Sequence, residues 1–71
     1  MKTKNEAIKE AEAYAIDDKI NMAVWLNSFA ESDDDRWEYC IASGAVCFSD
    51  FVLSTEKYII KPNGKIVKQQ S

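Results

Sequence analysis

Ile20-Asn21-Met22-Ala23-Val24-Trp25-Leu26-Asn27-Ser28-Phe29-Ala30 is the stretch on which the fold turns. Its residues alternate, which predicts a strand over about 20–30. Ile20, Met22, Val24 and Leu26 point one way, and Ala23, Trp25, Asn27 and Phe29 the other. Both faces carry apolar side chains, so the strand asks for cover on each side of the sheet that holds it.

Upstream, Thr3 and Glu6 have capping-box spacing, in which a hydroxyl at the helix entry and a carboxylate three residues on satisfy each other's free amides. Ala7, Ile8, Ala11, Tyr14 and Ala15 then fall on one face at helical spacing. This predicts a helix over about 4–17 whose alanine-rich stripe can lie close to what it covers. Asp17-Asp18 oppose the helix dipole, so that end is expected to fray.

Downstream, Glu31-Ser32-Asp33-Asp34-Asp35 interrupts the alternation with a polar turn. A second strand is predicted over about 36–42, with Trp37, Tyr39 and Ile41 on one side and Glu38, Cys40 and Ala42 on the other. It forms a hairpin with the first strand. Residues 43–50 resist assignment: Ser43-Gly44 fits a tight turn or a bulge, and a short helical turn anywhere in Ser43–Leu53 is an alternative. Phe51 to Ser54 reads as strand-like, giving a third strand over about 51–61. Lys57-Tyr58-Ile59-Ile60-Lys61, Pro62-Asn63-Gly64 and Lys65-Ile66-Val67-Lys68 spell a β-hairpin, with Gly64 supplying the left-handed residue that closes a three-residue loop. Its last strand runs over about 65–69, with Ile60 opposite Ile66 and Ile59 opposite Val67. The expected fold is α+β: one N-terminal helix packed on an antiparallel sheet of three to five strands with a C-terminal β-hairpin. Residues 1–71 make a single domain.

One helix covers one face of a sheet. The second face therefore needs another cover: the Ser43–Leu53 segment folded back, a second copy of the chain, or a different protein. A domain of 71 residues buries only about 60% of its unfolded surface, and such domains often gain support from a disulfide, a metal or a second subunit. A large apolar patch left open on a soluble monomer marks an interaction site.

The composition, 46% hydrophobic and 30% charged, is that of a folded domain rather than a disordered one. Net charge is −3, unevenly spread. From Asn5 to Glu56 twelve acids face Lys9, Lys19 and Arg36, a balance of −9, whereas Lys57 to Ser71 carries +4. A mixed solvated surface explains this most simply. The sharper reading is an acidic face that meets a basic partner, with charge steering the encounter.

The chain contains no histidine. That removes the usual general base, the usual activator of a nucleophile and the commonest transition-metal ligand. The two glycines, Gly44 and Gly64, form no phosphate cradle. Cys40 and Cys47 are too far apart for a Cys-x-x-Cys motif, and no second ligand pair completes a zinc site. They read as small buried apolar residues; a disulfide requires them to lie opposite each other across a Ser43-Gly44 turn. Glu31, Asp33, Asp34, Asp35 and Glu38 form the densest carboxylate group. They lack the calcium-loop pattern, and a catalytic pair needs a cleft that so short a chain hardly builds. They read as a solvated hairpin tip, or as a contact for Lys and Arg of a partner. The C-terminal lysines fit protection of a sheet edge better than phosphate binding, so direct nucleic-acid binding is disfavoured. Trp25 and Trp37 are core candidates, and a pair of tryptophans on neighbouring strands leaves room for one to anchor an interface.

The chain resembles the small acidic single-domain α+β proteins encoded by phages and mobile elements, among them anti-CRISPR and other anti-defence inhibitors. The likeness lies in its length, its charge and its lack of catalytic residues, and carries over no site residue. It implies stoichiometric inhibition of a host protein complex by occlusion of a surface. No run of eighteen apolar residues is present and the N-terminus has no apolar signal core. The expected setting is therefore the cytoplasm, that of the host cell if the protein is phage-encoded, with no membrane contact. The expected function is that of a non-enzymatic protein-binding protein without cofactor or metal. Its partner-binding residues are expected among Trp25, Glu31, Asp33, Asp34, Asp35, Trp37 and Glu38. The alternatives are a homodimeric structural or adaptor domain, and an acidic mimic of nucleic acid that binds a basic protein.

Overall fold

The computed structural model describes residues 3–27 and 36–69. Helix α1 (Lys4–Asp18) starts at the capping box read from the sequence: the Thr3 hydroxyl accepts from the Glu6 N–H, and the Glu6 carboxylate accepts from the Thr3 N–H. It ends in a left-handed closure at Lys19 (φ 55°), where the Lys19 and Ile20 N–H groups both donate to the Ala15 carbonyl. The Ile20 side chain then packs on the core, a hydrophobic contact that commonly accompanies such caps.

Four strands follow: β1 (Met22–Leu26), β2 (Trp37–Ile41), β3 (Lys57–Ile60) and β4 (Ile66–Gln69). They form one antiparallel sheet in the order β2-β1-β3-β4. The fold is thus α+β, with α1 on a four-stranded antiparallel sheet and a C-terminal hairpin. In that hairpin Ile60 pairs with Ile66 and Ile59 with Val67. Gly64 sits at φ 87°, and its N–H donates to the Lys61 carbonyl at 2.8 Å. Among the described residues β1 reaches only to Leu26, and residues 28–30 lie outside them.

The first core lies between α1 and the sheet. Ala7, Ala11 and Ala15, one turn apart, are fully buried against Met22, Val24, Trp37 and Ile60, with Leu26, Tyr39 and Tyr58 at the margin. Alanine on that stripe brings the helix backbone close to the strands. The start of α1 is tied down by Lys4, whose Nζ lies 2.9 Å from Glu56 and 4.9 Å above the Tyr58 ring. The Tyr58 hydroxyl donates to the same carboxylate. These bonds from Tyr58 and then Lys4 hold the Glu56 carboxyl below its ordinary range.

The second face is closed by the chain itself. Strands β2 and β3 flank β1 and run parallel to each other, so the connection between them must cross β1. It does so on the face away from α1, as two short helical turns, α2 (Ala42–Ala45) and α3 (Ser49–Val52). Ala45 and Phe51 descend from this roof onto Ala23 and Trp25, with Cys40, Ala42 and Ile59 around them. The Phe51 ring meets Trp25 edge-on, centroids 5.3 Å apart, and Phe48 stacks on it at 6.1 Å. The expectation of a strand from residue 51 is corrected here: Phe51 and Val52 are helical, and the strand begins at Lys57. In Phe51-Val52-Leu53 only Phe51 is buried, and an apolar run of three carries no period that separates strand from helical turn.

Two polar groups fasten the roof. Lys57, opposite Trp25 in the ladder, is buried, and its Nζ donates to the Phe51 and Val52 carbonyls at 3.3 and 3.1 Å. The ammonium also lies 4.9 Å from the Phe51 ring centre. These carbonyls belong to the last residues of α3: that of Phe51 also accepts from the Ser54 N–H at 3.1 Å, and the lysine supplies a donor for that of Val52. Ser54 is fully buried with its hydroxyl 2.8 Å from the Leu26 and Glu56 carbonyls, joining the end of the roof to β1 and β3.

Two expectations follow. Lys57→Met keeps the aliphatic stem and deletes the donor, and should cost about 1–3 kcal/mol in urea unfolding, with amide exchange speeding up first in the roof. Ala11→Leu should cost about 1–3 kcal/mol by overpacking, whereas Ala13→Leu, on the exposed side of α1, should stay within about 0.5 kcal/mol of the parent.

Candidate interaction surface

Covering the second face moves apolar surface outward rather than removing it. The roof has two sides, and twelve residues cannot point every apolar group inward. Ala45 and Phe51 go to the core, while Val46, Phe48, Val52 and Leu53 stand 63, 48, 52 and 61% exposed. Cys47 is exposed between them as a free thiol. Five exposed apolar side chains within eight residues form the densest such group in the described sequence. Phe48 does double duty, stacking on Trp25 with one part of its ring and facing water with the rest.

The tryptophans, expected as possible anchors, are placed elsewhere. Trp25 is 2% exposed under the roof, and Trp37 is 8% exposed in the first core, stacked on Tyr58 at 6.2 Å. Each is the largest side chain on its face of the sheet, and closing both faces buries both. The Trp25 indole Nε1 is buried with no hydrogen-bond partner, so the ring is held there by apolar packing alone. The expectation that both cysteines are buried is likewise corrected: Cys40, paired with Ala23 in the β1–β2 ladder, is half-buried, and Cys47 is exposed on the outside of the roof. Glu31, Asp33, Asp34 and Asp35 lie outside the described residues.

Of the acidic candidates, Glu38 lies within the described residues. It lies on the roof side of β2, opposite Trp25 in the ladder, and accepts a hydrogen bond from the Asn27 side-chain amide. Partial desolvation, and then a shared hydrogen bond and like charge with Asp50 of α3, raise its carboxyl above the ordinary range. Glu38 and Asp50 therefore border the exposed apolar residues with a carboxylate pair that repels itself when both are ionised. Among the described residues no group of three or more His, Cys, Asp or Glu is placed to hold a metal ion, and no helix is long and apolar enough to cross a membrane.

The sign of the pH effect follows from the raised carboxyl. A group that holds its proton more tightly when folded stabilises the fold at low pH and loses that contribution as pH rises through its folded pKa. Glu38→Gln should thus raise the thermal midpoint at neutral pH and leave it unchanged once the solution is acid enough to protonate Glu38. Thermal melts of both proteins across that range check it.

With the surface described, comparison with protein-family models, curated proteins and solved structures finds no match to this chain.

Proposed function

We propose that the chain is a small non-enzymatic binding protein that occludes a surface of another protein, as an inhibitor or adaptor acting in the cytoplasm. The observation that carries this reading is the exposed outer face of the roof: Val46, Phe48, Val52 and Leu53 together on one side of a segment already anchored from below. A patch of this kind is uncommon on a domain that works alone. Glu38 and Asp50 beside it, and the acidic residues Glu31 to Asp35 of the preceding connection in the sequence, favour a partner that presents Lys or Arg around an apolar centre. The absence of histidine and of any phosphate cradle argues for occupancy rather than catalysis. The resemblance in size and charge to phage-encoded anti-defence inhibitors points the same way and makes a host protein complex the kind of target.

The test is the double variant Val46→Glu/Leu53→Glu. Both positions are exposed, so stability should change by no more than about 0.5 kcal/mol per site. The parent should form a complex of defined stoichiometry with a protein of the cell in which it acts, and the variant should lose it by at least tenfold in Kd. Capture of no partner at low salt, or equal binding by parent and variant, contradicts the proposal. Sedimentation of the parent at micromolar concentration as a dimer that the variant dissolves would instead assign the patch to a second copy.

A further inference from the structure

The sheet has two edges, and they differ. β4 carries Lys68, with Lys65 beside it, and a lysine on an edge strand discourages the addition of another strand. β2, Trp37-Glu38-Tyr39-Cys40-Ile41, carries neither lysine nor proline, and among the described residues β1 is its one neighbour in the sheet. The ladder sets which way its backbone points. The Asn27 N–H donates to the Arg36 carbonyl and the Ala42 N–H to the Asn21 carbonyl. In an antiparallel pair such bonded positions recur every second residue, so Glu38 and Cys40 turn their backbone toward β1. Trp37 turns its N–H and carbonyl outward, and Ile41 its N–H, the Ile41 carbonyl being taken by the first turn of α2, of which it is the N-cap.

Beside this edge, on the α1 side, lies an open apolar groove of 280 Å³ lined by Tyr14, Asp18, Ile20, Met22, Tyr39 and Ile41, among others. Tyr14 also lines a neighbouring depression of 290 Å³ that includes Glu10 and Asp17. Tyr14 and Ile41 are each about half exposed. Asp17 and Asp18 stand at the C-terminal end of α1, where the helix dipole is itself negative, and the last turn contains no base. The floor is apolar and the rim is anionic.

We infer that the β2 edge and this groove bind an extended cationic segment of a partner protein, which adds as a fifth strand with alternate Lys or Arg side chains over Tyr39 and Ile41 and their charged ends at Asp17 and Asp18. Strand addition takes its affinity from main-chain bonds and its specificity from alternate side chains. The long stem of a lysine suits an apolar floor with an acidic rim. A second copy fits poorly. Two β2 edges paired about a twofold axis bring two α1 helices side by side, and each holds five acids against Lys4 and Lys9. This surface is separate from the outer face of the roof, so either assignment can fail without the other.

The probe is the blocked peptide Lys-Val-Lys-Thr-Lys-Val-Lys, titrated into the full chain at low salt and followed by backbone amide NMR. The expected result is shifts and slowed exchange at Trp37 and Ile41, with the roof signals unmoved. The same peptide with Glu for Lys should bind at least tenfold more weakly, as should the lysine peptide to Asp17→Asn/Asp18→Asn. Ile41→Pro tests the strand itself. Ile41 already has φ −58°, which proline accepts, and its N–H faces away from β1, so the ladder survives and the outward donor is lost. Peptide binding should then fall at least tenfold while the α1 and roof signals keep their positions. Equal affinity for the Glu and Lys peptides, shifts centred on the roof, unchanged binding by the proline variant, or self-association of the chain through β2 in place of peptide binding would each overturn the inference.

Discussion

β1 holds the structure together because four of its five residues, Met22, Ala23, Val24 and Trp25, are buried in succession. Alternate residues of a strand face opposite sides, so four in a row means two cores rather than one. The alanine stripe of α1 closes the first over Met22 and Val24, and the α2–α3 roof closes the second over Ala23 and Trp25. Trp25 alone removes roughly 150–250 Å² from water, worth an upper limit of about 4–6 kcal/mol in transfer free energy. That is comparable to the whole net stability of a domain this small, which is why the roof is not an optional loop. Lys57 and Ser54 are the polar cost of placing it there, and each ties main-chain carbonyls of the crossing or of the strand ends beside it.

Much of this was legible from local signals. The Thr3–Glu6 cap, the alanine stripe, the two-sided alternation from Met22 to Trp25 and the Pro62-Asn63-Gly64 turn each depend on residues close in sequence, and each stands in the structure as read. The path of residues 42–56 was not legible. Its course depends on β1 pairing with β3 as well as with β2, and the β1–β3 contact joins residues more than thirty apart and leaves no periodic mark. Ala42-Ser43-Gly44-Ala45 has no amphipathic pattern long enough to count as a helix, and Phe51-Val52-Leu53 is too short to show a period. Lys57 was legible only as one more lysine of a basic hairpin; that it turns inward follows from its place opposite Trp25.

The candidate site shifted for the same reason. Counting layers correctly demanded a cover for the second face, and Ser43–Leu53 was one of three possible covers. Because it is the one found, Trp25 and Trp37 become core residues, and the exposed apolar side chains belong to the cover itself. No signal in the sequence distinguishes Phe51, which is buried, from Val52 and Leu53, which are not; the difference arises when α3 is laid on the sheet. The charge asymmetry of the sequence reappears as geometry, with the acidic end of α1 beside the β2 edge and Lys65 and Lys68 on the hairpin at the other end of the sheet.

The most direct measurement is the proton–proton contacts of the Trp25 indole in a dilute sample of the monomeric chain. A closed second core predicts strong contacts from the indole ring to the rings of Phe48 and Phe51 and to the Ala45 methyl. An indole that touches none of these and exchanges magnetisation with water would mean that the chain does not cover its own second face and that residues 42–53 form no roof over Trp25.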